Sequence, residues 1–402
     1  MTEADKAYAK ALLKELIACD TTDYHEENGQ RVVERELLKL RCIVRHINPK
    51  PELLAEKYPE FNIGHTYENR DCLAADFIGT GGGKSLILNA HVDTVYPAQP
   101  SMWKTDPFCP VEKEGKVYGL GSCDTKAGLT AMITALRMIE KEGRQLKGDV
   151  YFHCVVDEES GGGNGTLACL NESRHADAVL VVEPTELKPA GAHMGSYAIR
   201  ITAEGKSVHG NLKQLGVNAV EKMLPVINAC YKLGEKWEQR RFGLLPAPVF
   251  SVVSLNAGDG SITLPGSCTA VINYTYLPDG YEYEEEFLGI LHSCEEADDW
   301  FEEHPLKIEK LHDVKPYHMA ENSRWGTCVV RNVSEVMGKQ TDLFGFGCGA
   351  DARFYANTGK MDTIILGPGN ILNAHSPNEY VELEQLYDAA RIYYKLLCDW
   401  CG

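Results

Sequence analysis

Runs of apolar residues alternate with helical patterns in the first part of the chain and again near its end. Four short runs have the composition of buried strands: SLILNA (85–90), VYFHCVV (150–156), AVLVV (178–182) and DTIILG (362–367). Their apolar residues are continuous rather than alternating, which is typical of parallel strands buried on both faces. Because helical patterns fall between some of these strands, the sequence predicts an α/β domain.

The segment between the first two strands predicts an amphipathic helix. Its apolar face contains Leu129, Met132, Ile133, Leu136 and Ile139. Asp124 or Thr125 can cap the N-terminus of this helix through a side-chain oxygen. Gly143 can end the helix, because glycine adopts the left-handed conformation that follows many helices.

The middle third of the chain has a different pattern. Its predicted elements are a strand at 196–204, a helix at 216–236 interrupted by Pro225, strands at 248–256 and 267–277, an acidic helix at 284–303 and a strand at 305–311. The order β-α-β-β-α-β is that of a ferredoxin-like module. We therefore predict an α+β module at 192–314, inserted into an α/β domain formed by 1–191 and 315–402.

Composition excludes several classes of protein. A net charge of −18 over 402 residues argues against nucleic-acid or anionic-membrane partners. No window approaches the apolar length of a membrane span, and the N-terminus lacks the apolar segment of a signal peptide. A cytoplasmic location is expected. The 14 cysteines have no disulfide-framework spacing, so free thiols are predicted.

Residue types that bind metal ions follow the predicted strands. They are His91, Asp93, Asp157, Glu158, Glu159, Glu183 and His375, and Asp124 lies at the start of the predicted helix. In open α/β sheets, ligands collect at the carboxyl ends of the strands. Histidines and carboxylates together suit Zn²⁺ or Mn²⁺. Each residue also fits a structural role, as a cap or a solvated loop acid, so the pattern alone leaves both interpretations open.

Six motifs together resemble one metallohydrolase family. They are HVDTVYP, WKTDPF, GKVYGLGSCDTKAG, VVDEESGG, VVEPT and AHSPNE. The family includes acetylornithine deacetylase, succinyl-diaminopimelate desuccinylase, aminoacylase and glutamate carboxypeptidase. The resemblance covers nearly the whole chain. It implies a zinc-exopeptidase-like catalytic domain with an inserted ferredoxin-like α+β lid that also dimerises the protein.

The resemblance also implies a di-zinc centre, with cobalt or manganese as possible substitutes. His91 and Glu183 would bind one zinc, Glu159 and His375 the other, and Asp124 would bridge them. Asp93 would orient His91 by accepting its other ring N–H. From the residues alone, a hydrogen bond that orders the loop is the simplest role for Asp157.

Three further roles follow from the same resemblance. Glu158 would be the general base. His209 would donate to the reaction oxyanion from the partner subunit of a homodimer, with an ordinary surface histidine as the alternative. Arg353 would bind the substrate carboxylate, with a structural salt bridge to Asp351 or another acid as the alternative.

The expected activity is metal-dependent hydrolysis of an amide bond in a small N-acyl amino acid. A dipeptidase or carboxypeptidase of the same family and a non-catalytic binding module are the alternatives. The sequence departs from the family near the substrate: Leu120, Tyr274 and Tyr276 stand where arginine is common, and 261–265 lacks the usual Asn-x-x-Pro. These departures leave the acyl group and the amino-acid side chain of the substrate open.

Overall fold

The computed structural model describes residues 1–161, 163–172 and 175–402. Gly162, the last residue of the VVDEESGG motif, lies outside the described residues. The chain divides into two compact units. The first contains Met1–Ala192, His318–Phe346 and Ala350–Gly402, and the second contains His193–Tyr317 and Gly347–Gly349. A lid and dimerisation role for the second unit stays a prediction.

The described residues form helices and strands throughout the chain. The helices are α1 (Glu3–Ala18), α2 (Glu27–Lys39), α3 (Pro51–Lys57), α4 (Ala127–Lys141), α5 (Asn164–Glu172), α6 (Ala219–Trp237), α7 (Tyr283–Glu296), α8 (Trp300–Glu303), α9 (Arg324–Met337) and α10 (Leu383–Cys401). The strands are β1 (Ile43–Ile47), β2 (Cys72–Phe77), β3 (Leu86–His91), β4 (Val111–Lys113), β5 (Lys116–Tyr118), β6 (Val150–Val155), β7 (Ala178–Val181), β8 (Ala190–His193), β9 (Gly195–Glu204), β10 (Phe250–Ala257), β11 (Ser267–Tyr276), β12 (Lys307–Val314), β13 (Tyr317–His318), β14 (Phe344–Phe346), β15 (Thr363–Ile365) and β16 (Tyr380–Glu382).

A mixed sheet is the centre of the first unit. Its strand order is β1-β2-β6-β3-β7-β15-β8-β13, with β14 paired to β8. The four strands predicted from continuous apolar runs are β3, β6, β7 and β15, and each pairs in parallel with its neighbour among them. Every residue of these four strands is buried, as expected for strands covered on both faces. The α/β prediction is confirmed.

The N-terminus of α4 differs from the prediction. Neither Asp124 nor Thr125 caps the helix, which begins at Ala127 after a wide turn over Ser122–Lys126. The hydroxyl of Thr125 instead donates to the carbonyl of His91 at 2.9 Å. The carboxylate of Asp124 faces two histidines rather than the backbone N–H groups of α4. The capping prediction was wrong because tertiary partners take both side chains.

The second unit contains a four-stranded antiparallel sheet in the order β10-β11-β9-β12. Buried residues alternate along β11 because α6 packs on one face of the sheet. The predicted β-α-β-β-α-β order is confirmed, and two details were wrong. Pro225 lies inside α6 without ending it, and the acidic helix is split into α7 and α8.

All fourteen cysteines are free thiols, as predicted from their spacing. Cys109 and Cys348 are exposed, three are partly buried, and nine are buried. Burial raises the pKa of several of these thiols, including Cys42 to about 12, which makes them poor nucleophiles. Within the described part of the chain, no helix combines the length and apolar composition needed to cross a membrane.

Candidate metal centre

Parallel pairing brings the ligand-type residues of the first unit together. His91 ends β3 and is paired in register with Val155, which ends β6. Glu158 and Glu159, which follow β6 by a few residues, therefore lie near His91. Glu183 follows β7, the other parallel neighbour of β3. The carboxyl ends of three adjacent strands thus supply one site, as expected for an open α/β sheet.

Four of the predicted ligands are in direct contact with one another. Nε2 of His91 lies 3.1 Å from Oδ1 of Asp124, and Oδ2 of Asp124 lies 3.5 Å from Nε2 of His375. The same nitrogen of His375 lies 2.8 Å from Oε2 of Glu159. Ligand atoms of His91, Asp124 and Glu159 all lie within 4.8 Å of one another. Asp124 stands between the two histidines, with one oxygen toward each.

Asp93 contacts both sides of this group. Its Oδ2 accepts a hydrogen bond from the backbone N–H of Glu159 at 2.9 Å. Nδ1 of His91 donates to the backbone carbonyl of Asp93 at 3.0 Å, whereas Oδ1 of its carboxylate is 3.7 Å away. Asp93 therefore accepts the other ring N–H of His91 through its backbone carbonyl, which lies closer than its carboxylate. Either acceptor leaves Nε2 of His91 directed at Asp124.

Burial shifts the protonation of the acidic residues. It raises the pKa of Glu158 well above its usual range, and the nearby carboxylates of Asp351 and Glu159 act in the same direction. Burial likewise raises the pKa of Glu183 well above its usual range, supported by the charge of Glu158. It also raises the pKa of Asp93 to about 7. Without a cation, this site holds protons that carboxylates normally release.

The pKa values of buried His91 and of exposed His375 are both raised. Hydrogen bonds to Asp124 and Glu159 raise the pKa of His375 to about 11. Burial opposes protonation of His91, but its hydrogen bond to Asp124 and the charge of Asp93 still raise its pKa well above the usual value. Positive charge is therefore favoured at the centre of the site. A divalent cation supplies that charge and displaces the protons.

The donor set fits a bound cation. Oδ1 of Asp93 and Oε1 of Glu183 have no hydrogen-bond partner within the described residues, although both side chains are about 95% buried. Buried carboxylate oxygens without partners are costly and need an explanation. Imidazole nitrogens and carboxylate oxygens in one buried group are ligands that Zn²⁺ accepts together. The residues that are present therefore fit a zinc centre.

Asp157, directly beside the two glutamates, has a different role. Its carboxylate accepts hydrogen bonds from Tyr67 at 2.8 Å and Arg70 at 3.2 Å, and it lies 2.8 Å from Nδ1 of His65. Its backbone is left-handed, with φ of 74°. The chain thus turns immediately after β6, and the turn separates Asp157 from Glu158 and Glu159. The interpretation of Asp157 as a residue that orders the loop is confirmed.

Arg353 is buried beside the site. It is 6% exposed, donates to the carbonyl of Ala350 at 2.9 Å and places its guanidinium 4.1 Å from the ring centre of Phe354. Within the described residues it forms no ion pair with Asp351, whose carboxylate instead accepts from the hydroxyl of Thr166 at 2.6 Å. Both roles suggested for Arg353 stay predictions.

His209 belongs to the second unit and is exposed. Its backbone forms an antiparallel bridge with Thr263, and its Nδ1 accepts a hydrogen bond from the backbone N–H of Asn211 at 3.2 Å. This hydrogen bond occupies Nδ1 and orients the ring. Its assignment as an oxyanion donor stays a prediction.

One buried residue that contacts the site was missed, although it lies in a motif that the sequence singles out. Glu379, the last residue of AHSPNE, is buried and accepts hydrogen bonds from the backbone around Asp124. Its proximity in sequence to His375 was the available signal. Its partners could not be read from the sequence, because they lie more than 250 residues away.

A cavity of about 300 Å³ adjoins this group and is open to solvent. Asp93 and Glu159 form part of its wall. The acidic residues Asp23 and Glu26 line it as well, together with the guanidinium of Arg70. A small molecule that enters this cavity can contact Asp93 and Glu159.

Comparison with known sequences decides the family. The sequence model of peptidase family M20/M25/M40 matches residues 87–399. The chain belongs to this family. Acetylornithine deacetylase of Proteus mirabilis (strain HI4320) is 30% identical to it over 338 residues, which cover 80% of each protein. The resemblance inferred from the six motifs is confirmed, and membership makes this chain a metal-dependent hydrolase.

Solved structures of the family share the fold. Human carnosine dipeptidase 1 matches 99% of this chain and 97% of its own, with a TM-score of 0.78 and 13% identity. The YXEP protein of Bacillus subtilis, a dinuclear metal binding peptidase, matches 100% of this chain and 99% of its own, with a TM-score of 0.68 and 12% identity. At these identities the likeness shows the fold alone.

Proposed function

We propose that this family member is a di-zinc amide hydrolase that removes the acyl group from a small N-acyl amino acid. One observation carries the proposal: buried carboxylates with unpartnered oxygens surround His91 and Asp124, and the buried carboxyl of Glu158 lies among them. Such a site combines cation ligands with a group that can carry a proton. Hydrolysis of an unactivated amide requires both.

The ligands divide into two sets around Asp124. We assign His91 and Glu183 to one zinc, Glu159 and His375 to the other, and Asp124 to both, since its two oxygens face different histidines. The dinuclear metal binding of the Bacillus subtilis relative supports two positions. When bound, the cations polarise the amide carbonyl and lower the pKa of a water molecule. Cobalt or manganese can substitute for zinc at such ligands.

Glu158 moves the proton in this scheme. Its carboxylate takes a proton from water as the amide carbonyl is attacked, and its carboxyl then delivers the proton to the departing amine. Asp93 keeps Nε2 of His91 directed at the site through the hydrogen bond from Nδ1 to its carbonyl.

Two more residues complete the proposal. His209, exposed in the second unit, donates to the reaction oxyanion across a homodimer. Arg353 binds the substrate carboxylate, because guanidinium binds carboxylates through two parallel hydrogen bonds. A structural role is the alternative, because Arg353 is buried and donates to the carbonyl of Ala350. Arg353→Lys separates the two: a higher KM with unchanged stability indicates substrate binding, and lower stability with unchanged KM indicates structure.

The deacetylase branch is favoured over the dipeptidase branch. The 30% identity to acetylornithine deacetylase extends over 80% of both chains, whereas carnosine dipeptidase 1 shares 13%. The dipeptidase is the second candidate, because the fold and the ligand set suit both reactions. A non-catalytic module is disfavoured, because every predicted ligand and Glu158 are present in the sequence.

The direct experiment measures amine release from N-acetyl, N-succinyl and N-formyl amino acids and from dipeptides. Each is assayed with zinc, cobalt or manganese, and after chelation. Chelator-sensitive release from one N-acyl class is expected. Release from dipeptides alone would replace the deacylase proposal with the second candidate, and no release with any metal would contradict both.

A further inference from the structure

Glu379 is a buried carboxylate whose oxygens are occupied by the backbone of one short segment. Its Oε2 accepts from the N–H of Gly121 at 2.9 Å, and its Oε1 accepts from the N–H of Cys123 at 2.8 Å and of Asp124 at 3.3 Å. The residue is 2% exposed. Three N–H groups from four consecutive residues thus converge on a single carboxylate, which compensates for its burial.

The backbone of Glu379 is tied to the same segment. Its carbonyl accepts a hydrogen bond from the N–H of Gly119 at 3.0 Å. The next residues form β16, which pairs with β5 in the register Tyr380 to Tyr118. The pairing of β16 with β5 fixes the backbone position of Glu379. The hydrogen bonds of its side chain lie next to this strand pair. His375 precedes Glu379 by four residues, so one loop carries both His375 and the group that holds the Asp124 segment.

The segment that Glu379 holds has little freedom to adopt another path. Gly121 has φ of 74°, and a Cβ there would lie 2.6 Å from Cγ2 of Thr94. Lys126, at the end of the turn, is fully buried and donates to the carbonyl of Cys19 at 3.0 Å. Between these two points, the N–H of Asp124 is bound by Glu379 while its carboxylate meets His91.

We propose that Glu379 is a positioning residue for Asp124. Its three hydrogen bonds fix the backbone of Gly121–Asp124, and they thereby hold the Asp124 carboxylate between His91 and His375. The consequence for metal binding rests on the proposed function, in which Asp124 bridges two zinc ions. Glu379 itself takes no part in proton transfer or substrate binding. Residues that orient metal ligands typically change metal affinity or activity by about 10- to 100-fold when mutated.

Glu382 provides a matched control on the same strand. It ends β16, its side chain is 48% exposed, and its carboxylate lies 3.8 Å from Nζ of Lys116 at the surface. Glu382→Gln makes the same chemical change three residues away without touching the Asp124 segment. Glu379→Gln preserves the shape of the buried side chain, but it replaces one accepting oxygen with an NH₂ group that faces N–H donors. Glu379→Asp keeps the charge on a shorter side chain.

The first measurement is hydrogen exchange of the 119–126 segment in metal-free protein. Glu379→Gln should speed exchange of the Gly121, Cys123 and Asp124 amides by about 10-fold or more, because an NH₂ group replaces one of the two oxygens that accept from them. Glu379→Asp should give an intermediate rate, and Glu382→Gln the rate of the unmodified protein. Equal exchange in all four proteins would overturn the proposal. Loss of folding in both Glu379 variants would also overturn it, since a positioning residue leaves the core formed.

The second measurement is zinc affinity, by competition with a chromophoric chelator, together with kcat and KM. Glu379→Gln should bind zinc about 10- to 100-fold more weakly. Its kcat should fall while KM stays within about twofold, and excess zinc should restore part of the kcat. Unchanged zinc affinity in folded Glu379→Gln would overturn the inference and leave the proposed function standing. Failure of the unmodified protein to bind zinc would contradict the proposed function, and the exchange result would still decide whether Glu379 holds the segment.

Discussion

Two groups of buried carboxylates meet at the end of β6, and they differ in how their oxygens are satisfied. In the first group, Asp157 and Glu26 share Arg70, which donates to Glu26 at 2.5 and 3.0 Å and to Asp157 at 3.2 Å. Tyr67 donates to Asp157 as well. This group carries its own positive charge and its own donors. It needs nothing from outside the protein.

The second group lacks such partners. Glu183 and Asp93 each have a buried oxygen with no hydrogen-bond partner in the described part of the chain, and the pKa of Glu158 is raised well above its usual range by burial. The consecutive residues Asp157 and Glu158 thus belong to groups of opposite kinds. A buried acid with partners orders the protein, whereas a buried acid without them indicates a missing ligand.

The largest effect is expected from Glu158→Gln, which removes the proposed general base from the second group of buried carboxylates. The amide cannot accept a proton from water, so kcat should fall by about 10²- to 10⁴-fold. Bound zinc should be unchanged, because Glu158 is not one of the proposed ligands. Turnover and metal content are measured on the same sample, with the exposed Glu186→Gln as the control. Turnover near that of the unmodified protein would refute the role of Glu158.

Asp157→Asn tests the other side of the comparison. It leaves the guanidinium of Arg70 with one fewer buried counter-charge, so the free energy of unfolding should fall by about 3–5 kcal/mol. Urea unfolding measures this change, with Glu27→Gln as the control. Glu27 pairs with Arg31 at the surface at 2.9 Å, and its loss should cost less than about 1 kcal/mol. Equal losses in the two variants would show that the Asp157 group is not a structural unit.

A pH effect on stability should arise from His153, which lies in β6 away from the proposed ligands. Burial and the charge of Arg45 lower its pKa from 6.5 to about 3. Below pH 6.5 the unfolded chain gains a proton that the folded chain refuses until about pH 3. Folding stability should therefore be fully present above pH 6.5 and decrease as pH falls, by up to about 1.4 kcal/mol per pH unit.

His153→Gln should remove this contribution. Urea unfolding of metal-free protein at pH 7 and pH 5 compares the variant with the unmodified chain, so that other titrating groups cancel. The variant should lose less stability between the two values. Identical losses would mean that His153 is protonated in the folded protein.

The smallest effect is expected from a pair of tyrosines in the second unit. The hydroxyl of Tyr274 is buried and has no partner among the described residues, whereas that of Tyr276 donates to Asp313 at 2.7 Å. Tyr274→Phe should leave stability unchanged or raise it by less than about 1 kcal/mol, and Tyr276→Phe should lower it by about 1 kcal/mol. Thermal unfolding separates them. A larger loss for Tyr274→Phe would show that the hydroxyl of Tyr274 has a hydrogen-bond partner in the folded protein.

The parts of this molecule that follow local rules were predictable from the sequence. Continuous apolar runs identified β3, β6, β7 and β15, and ligand-type residues after these strands indicated the site. The structure confirmed these strands, and their mainly apolar composition follows from burial on both faces.

Features that depend on distant partners were not predictable. Asp124 and Thr125 have the residue types of a helix cap, but Asp124 faces His375, and the backbone around it is bound by Glu379. Asp157 bonds to residues about 90 positions earlier. The sequence shows which side chains can accept a hydrogen bond, whereas the fold determines which donors lie close enough to form one.

Anomalous X-ray diffraction from crystals grown with zinc tests most directly whether the buried group around Asp124 binds two cations. We predict two anomalous peaks that share Asp124, one beside His91 and Glu183 and the other beside Glu159 and His375. Peaks elsewhere, or none in crystals that contain excess zinc, would contradict the account.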